Sequence, residues 1–285
     1  MNHLPLQSIS YLQPGDIIFS KGTSKHGRLI GKFANVANAQ FSHVSLYLGD
    51  GLVFETIGNI SKREKRSLKK QSNGTDLKYL LSQSDLKKAL ISKSPNILDT
   101  GGSGIRLLEV SLSGISKNHD ICVARAGVSF SQAELFKHCQ PLQGVSYSIV
   151  GAFIAGYSGN LDRKSFEIFD RHINGESELH KNIAKISLRT LKGARKKSEK
   201  AKSKYNLHKL GKGNNRYCST LAIVTLDEYC KSMFSENHKI LSNPSILLTQ
   251  LAPNDLLSEC YQDSGFTTYK ISYSALPSSI KQNAV

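Results

Sequence analysis

The alternation and spacing of apolar residues divide this chain into elements. Gln13-Pro14-Gly15-Asp16 is turn chemistry, and Ile17-Ile18-Phe19 follows it as a short strand. Leu29, Ile30, Phe33, Val36 and Ala37 recur at helical spacing and predict a helix over 25–39. In residues 41–48, Val44, Leu46 and Leu48 share one face of a strand. Gly49-Asp50-Gly51 turns that strand, and residues 52–57 return as its hairpin partner. Residues 105–110 and 121–126 read as two further strands. A helix is predicted over 131–140, with Ser131 as N-cap and Glu134 three residues on. The apolar run 147–157 predicts a buried helix. Leu221, Ala222, Val224, Thr225, Tyr229 and Met233 predict another over 218–234. Ser242-Asn243-Pro244-Ser245 predicts a helix start with its body at 246–251. Residues 265–273 read as a closing strand, and the residues after Pro277 are expected to be loose. Strands come first and helices afterwards, with antiparallel hairpin signals and no internal repeat, so the expected class is α+β.

Composition bounds this picture. The 285 residues are 39% hydrophobic, enough for a sizeable core and too apolar for a disordered chain. The longest apolar run, 149–157, is too short for a membrane span. Residues 1–13 lack a basic patch followed by a long apolar stretch, so no standard secretory signal is expected. Five cysteines, an odd count without regular spacing, do not read as a disulfide scaffold and point to a reducing compartment where the protein is made.

Charge changes the picture most. Lys+Arg 38 against Asp+Glu 22 gives a net +16. Residues 61–93 carry ten basic side chains against three acids, and residues 181–204 carry ten against one. Those two stretches hold the whole excess, so the reading is one near-neutral domain over 1–285 with two basic insertions. The first, 61–104, ends in a flexible Gly101-Gly102-Ser103-Gly104; the second, 158–215, is partly helical over 183–204. Such runs serve as solvated, solubilising faces, or they contact anionic lipid or nucleic acid. Residues 181–204 contain no aromatic side chain, which speaks against base stacking and hence against a nucleic-acid partner.

Three residues carry candidate chemistry. His43 begins a strand, and Glu55 lies on its hairpin partner, so the two can be close neighbours. Cys218 stands where a helix begins. There the dipole and the free backbone N–H groups favour a thiolate and supply oxyanion donors. Cys, His and an orienting carboxylate form a thiol-nucleophile triad. Each residue alone also has a structural reading: a small buried thiol, a satisfied strand histidine, an exposed strand glutamate. Cys122 and Cys230 read as core. His138 and Cys139 point in different directions on a helix. No Cys/His spacing resembles a zinc site and no glycine-rich phosphate loop is present, so no metal or cofactor is expected.

Pro14-Gly15-Asp16-Ile17-Ile18-Phe19, Ser42-His43-Val44-Ser45-Leu46-Tyr47-Leu48-Gly49-Asp50-Gly51 and Val53-Phe54-Glu55-Thr56 together resemble the central block of the NlpC-type papain-like hydrolases. Ordinary members place the catalytic Cys helix before this block. Here Tyr217-Cys218-Ser219 follows it, an order that resembles the circularly permuted, YiiX-like branch related to the lecithin:retinol acyltransferase group. Val123-Ala124-Arg125, Gly144-Val145-Ser146-Tyr147 and Asn243-Pro244-Ser245 extend the resemblance to roughly half of the chain. It implies a permuted papain-like fold, with an antiparallel sheet packed against the Cys-bearing helix. It implies Cys218 as nucleophile, His43 as general base and Glu55 as the group that holds the imidazole. Tyr147 and Tyr217 become the oxyanion- or substrate-binding candidates, with a core tyrosine as the equal alternative for Tyr147. Asp16 is expected to serve its turn. Thr220 stands where the family often has Glu, Ser45 where Gly is common, and the span from Tyr147 to Cys218 is longer than usual.

The function this implies is a cysteine-dependent amidase or peptidase working through a thioester, with peptidoglycan stem peptides or other small amides as substrates. An acyltransferase or thioesterase acting on lipid-derived acyl groups is the alternative, and the basic insertions would then dock it on an anionic membrane. A non-enzymatic scaffold binding lipid or nucleic acid through those insertions is the third. Without a signal, the expected location is the cytoplasm where it is made, or a target cell reached by signal-independent export. A delivered toxin or effector fits that route and would bring an immunity or inhibitor protein as partner.

Overall fold

The computed structural model describes residues 3–22, 40–57, 102–112, 115–142, 146–147, 192, 196, 215–216, 218–235, 238–242 and 251–283. The expected helices over 25–39 and 246–251, residues 148–157, His172, His180, Tyr217 and nearly all of both basic insertions lie outside them. Lys192 and Lys196 are described, and both are helical and exposed.

The strands are β1 (Leu4–Pro5), β2 (Ile17–Ser20), β3 (His43–Gly49), β4 (Leu52–Ile57), β5 (Gly102–Leu107), β6 (Ile121–Ala126), β7 (Ser146–Tyr147), β8 (Asn215–Arg216) and β9 (Phe266–Ile271). The helices are α1 (Leu108–Leu112), α2 (Gln132–Cys139), α3 (Cys218–Met233), α4 (Pro253–Gln262) and α5 (Ser278–Asn283). Seven strands form one sheet in the order β1-β9-β6-β2-β3-β4-β5. Its neighbours pair antiparallel except β1, which runs parallel to β9, so the sheet is mixed and the class is α+β. Among the described residues no helix is long and apolar enough to cross a membrane.

Both faces of the sheet are covered. On one face Val44, Leu46, Leu48, Phe54, Ile17 and Phe19 pack with Leu221, Ile223 and Leu226 of α3 and with residues of α2 and α4. On the other, Ile18, Tyr47, Val53, Ile121 and Val123 pack with Leu108 and Leu112 of α1 and with Ile280 of α5. The expected hairpin forms as predicted. Gly49, Asp50 and Gly51 all take positive φ, at 100°, 50° and 70°, the backbone that a tight turn between twisted strands needs. At the preceding turn Gly15 has φ 93°, and a Cβ there would lie 2.0 Å from the Phe130 ring, so no side chain fits.

Several expectations change. The strand expected over 105–110 begins earlier and ends earlier: Gly102, Ser103 and Gly104 pair with Ile57, Thr56 and Glu55, so cross-strand bonding outweighs the looseness of glycine. The chain then turns into α1 at Leu108, whose N–H donates to Gly51 O, and Leu108 and Leu112 bury together one turn apart. Tyr147, expected to open a helix, lies in β7, where Ser146 and Tyr147 pair in parallel with Asn215 and Arg216. Residues 278–283, expected to be loose, form α5 because Ile280 fills the second core with no exposed surface. Helix α4 was not anticipated. Pro253 starts it, the Asp255 carboxylate accepts from the Ala252 N–H at 3.2 Å, and Leu256, Leu257 and Cys260 bury its inner face.

Candidate active site

The hairpin places the first two candidates. Leu46 pairs with Phe54 and Tyr47 with Val53. Continued along the strands, that register sets Glu55 across from Ser45 and diagonal to His43, on the same face. A slip by one residue would send Glu55 to the other face, so the turn decides the site. The register is pinned at the turn end, where the Gly51 N–H donates to the Tyr47 hydroxyl at 3.0 Å.

Helix α3 places the third. Cys218 is its first residue, and the helix packs across β3 and β4 through Leu221, Ala222 and Ile223. Ser219 anchors the first turn by donating its hydroxyl to Leu251 O. The N–H groups of a helix's first turn have no partner within the helix itself, and such groups can stabilise charge that develops at a helix start. The short ribbon of β7 and β8 leads into this turn. Tyr147 is paired to Arg216, two residues before Cys218, so the Tyr147 backbone lies next to the segment that precedes α3.

His43 Nε2 and Glu55 Oε2 are 2.6 Å apart. The His43 side chain keeps 20% of its surface exposed and that of Glu55 keeps 1%. Cys218, also buried, lies near enough to the same imidazole to help raise its pKa. Burial is the largest influence on His43 and pulls its pKa down. The Glu55 charge, the neighbouring Cys218 and the bond to Glu55 outweigh it, and the pKa is raised to about 10. Burial likewise pushes Glu55 up, but His43, Arg106 and Ser111 outweigh it and hold its pKa below the usual carboxylate value. The imidazole is therefore held as imidazolium between an acid and a thiol, the arrangement a thiol nucleophile uses.

Two residues in this site were not singled out from the sequence. Ser111 of α1 donates its hydroxyl to Glu55 Oε2 at 2.6 Å. Arg106 of β5 is buried. Its Nη1 donates to Glu55 O at 3.1 Å and to Gly104 O at 3.3 Å, and its Nε lies 3.9 Å from Glu55 Oε1. The available signal was an arginine alternating with Ile105 and Leu107 in a strand. It reads as solvent-facing unless a second layer covers that face.

The remaining candidates take the structural roles expected of them. Cys122, Cys139, Cys230 and Cys260 are buried, and burial pushes their thiols up, Cys122 to about 12 and Cys230 to about 11. His138 Nε2 shares a hydrogen bond with the Ser232 hydroxyl at 3.0 Å. Asp16 accepts from the Gln13 N–H at 2.8 Å and so holds its own turn. Among the described residues no group of three His, Cys, Asp or Glu side chains converges to hold a metal. No family model matches the chain, and neither a curated protein nor a solved structure matches it.

Proposed function

We propose that this protein is a cysteine-dependent hydrolase of the permuted NlpC-type papain-like kind, acting on an amide or other acyl substrate. One observation carries the reading: the imidazole of His43 is bonded on Nε2 to a buried carboxylate, and a buried thiol at a helix start lies near enough to influence it. The chain order supports the permuted form. The strands that hold His and Glu precede the helix that holds Cys, and that helix packs on those strands.

In the proposed reaction, Cys218 Sγ attacks the carbonyl carbon and an S–C bond forms. The oxyanion faces the N–H groups of the first turn of α3. His43 gives its proton to the departing nitrogen as the C–N bond breaks, leaving a neutral thioester. Water then attacks while His43 takes a proton back, and Cys218 is released. Transfer to an amine or alcohol, the acyltransferase version, differs only in the last acceptor. Exposed Lys192 and Lys196, four residues apart in the second basic stretch, are the observation that favours that version at an anionic membrane.

Iodoacetamide labelling across pH, read by peptide mass spectrometry, tests the triad without a known substrate. Cys218 should react much faster than the other four cysteines below pH 7 and should slow in His43→Ala. A Cys218 as inert as Cys122 would sink the reading.

A further inference from the structure

We propose that Arg106 and Ser111 are positioning residues of this site, which keep Glu55 ionised and aimed at His43 through the whole reaction cycle. The inference rests on the thiol-hydrolase reading above.

The reason lies in what happens to charge in a buried site. While thiolate and imidazolium face each other, Glu55 has His43 as its counter-charge. Once the thioester forms, His43 has given its proton away and is neutral. A buried carboxylate left with a neutral neighbour would take up a proton, because burial penalises its charge. A protonated Glu55 would no longer polarise the imidazole that must next accept a proton from water.

Arg106 removes that difficulty. Its guanidinium does not lose its proton at any working pH, and its Nε stands 3.9 Å from Glu55 Oε1. With Arg106 counted, thiolate, imidazolium, carboxylate and guanidinium sum to zero. After acylation the thioester and the imidazole are neutral, and carboxylate and guanidinium again sum to zero. Without Arg106 the same states would carry one uncompensated negative charge. The guanidinium is fixed by its bonds to the backbone carbonyls of Glu55 on β4 and Gly104 on β5, so it does not depend on the state of His43.

Ser111 fixes direction. Its hydroxyl and His43 Nε2 both lie 2.6 Å from the same oxygen, Glu55 Oε2. Two lone pairs on one oxygen can satisfy both donors, and the pair holds the carboxylate against rotation. Among the described residues, the charged and titratable groups around Glu55 are His43 from β3 and Arg106 from β5, with Cys218 of α3 beyond His43. Glu109, also on α1, faces solvent. Ser111 and Arg106 come from different elements: α1 is held by Leu108 and Leu112 in the second core, and β5 by its pairing with β4 and by Ile105 in the first.

The test compares Arg106→Met, Arg106→Lys and Ser111→Ala by the rate of Cys218 alkylation with iodoacetamide from pH 4 to 9. Circular dichroism checks folding, and the His43 ring proton is followed by NMR. Removing the guanidinium raises the Glu55 pKa, so Glu55 protonates at a higher pH. The acid limit of fast labelling should move up by about one pH unit or more in Arg106→Met. Arg106→Lys should restore most of it, and Ser111→Ala should slow labelling about threefold with a smaller move in the same direction. A folded Arg106→Met with the wild-type profile overturns the proposal. Where Arg106→Met does not fold, a wild-type profile in Ser111→Ala overturns it instead. A wild-type Cys218 no faster than Cys122 overturns the hydrolase reading itself, which the variants do not touch.

Discussion

Among the described residues, Asp16 and Glu55 are buried carboxylates close to an arginine, and their surroundings differ. At the turn before β2, Asp16 receives the Arg125 guanidinium as a fork. Nε reaches Oδ1 at 2.8 Å and Nη2 reaches Oδ2 at 2.7 Å, and the Gln13 N–H adds a third bond. Arg125 is itself held by Tyr11 O and lies 5.1 Å over the Tyr269 ring. Both oxygens are thus bound to a group that does not titrate. At Glu55 the shortest bonds go to a histidine and a hydroxyl, and the arginine stands back at 3.9 Å. A carboxylate clamped by a fork fixes the backbone around it. A carboxylate whose nearest charged partner can gain and lose a proton is able to take part in chemistry. Resemblance to a charged pair is therefore not what distinguishes a site; the identity of the nearest donor is.

The largest effect expected is at the nucleophile. Cys218→Ala should lower turnover on a true substrate on the order of 10³-fold or more with little loss of stability, and full turnover in that variant would end the mechanism.

Crossing the two carboxylates sharpens the comparison. Glu55→Gln should slow Cys218 alkylation about a hundredfold at neutral pH, because the imidazolium loses its counter-charge. Asp16→Asn should leave alkylation unchanged and lower the unfolding free energy by about 2–3 kcal/mol in urea titrations. Equal slowing in both variants would erase the distinction.

The two sites should also differ in pH dependence. His43 has a raised pKa, so its contribution to stability is full below its unfolded value of 6.5 and is lost as pH rises through about 10. Glu55 has a lowered pKa, so its contribution is full above its unfolded value of 4.5 and is lost as pH falls through the folded one. The stability difference between the wild type and Glu55→Gln should therefore be greatest between about pH 4.5 and 6.5 and should shrink on either side. A difference that is flat from pH 4 to 10 would contradict the imidazolium–carboxylate pairing.

The smallest effect belongs to the next residue. Thr56, fully buried on the opposite face of β4 from Glu55, has a hydroxyl with no hydrogen-bond partner. Thr56→Val keeps the shape and removes an unsatisfied group, so thermal unfolding should show stability unchanged or raised by about 1 kcal/mol. A clear loss would mean that the hydroxyl has a partner in solution.

Much of the sheet was legible because local chemistry and tertiary pairing agree there. The glycines and Asp50 of the hairpin allow only a tight turn, and the alternation of Val44, Leu46 and Leu48 sets one face inward. Helix α3 was legible because its apolar residues recur over four turns. The end of β5, the helix α1 and the helix α5 were not. Leu108 is continuous with a strand pattern in sequence, and only its bond to Gly51 O and its burial beside Leu112 turn the chain. Ile280 has no meaning in a polar tail until a second core exists for it to fill.

For the candidate site the division is similar. Cys218, His43 and Glu55 could be named from the sequence, because a helix start, a strand start and a hairpin partner are local features. That Nε2 is the imidazole nitrogen bonded to Glu55 could not, nor could the presence of Arg106 and Ser111 beside Glu55. Sequence by itself determined the α+β class, the hairpin and the helix that starts at Cys218, since each follows from backbone preferences and the period of apolar residues. Tertiary structure alone decided that both faces of the sheet are covered. Covering the second face removes water from Glu55 and Arg106, and in that drier setting the charges of His43, Glu55 and Arg106 set one another's state.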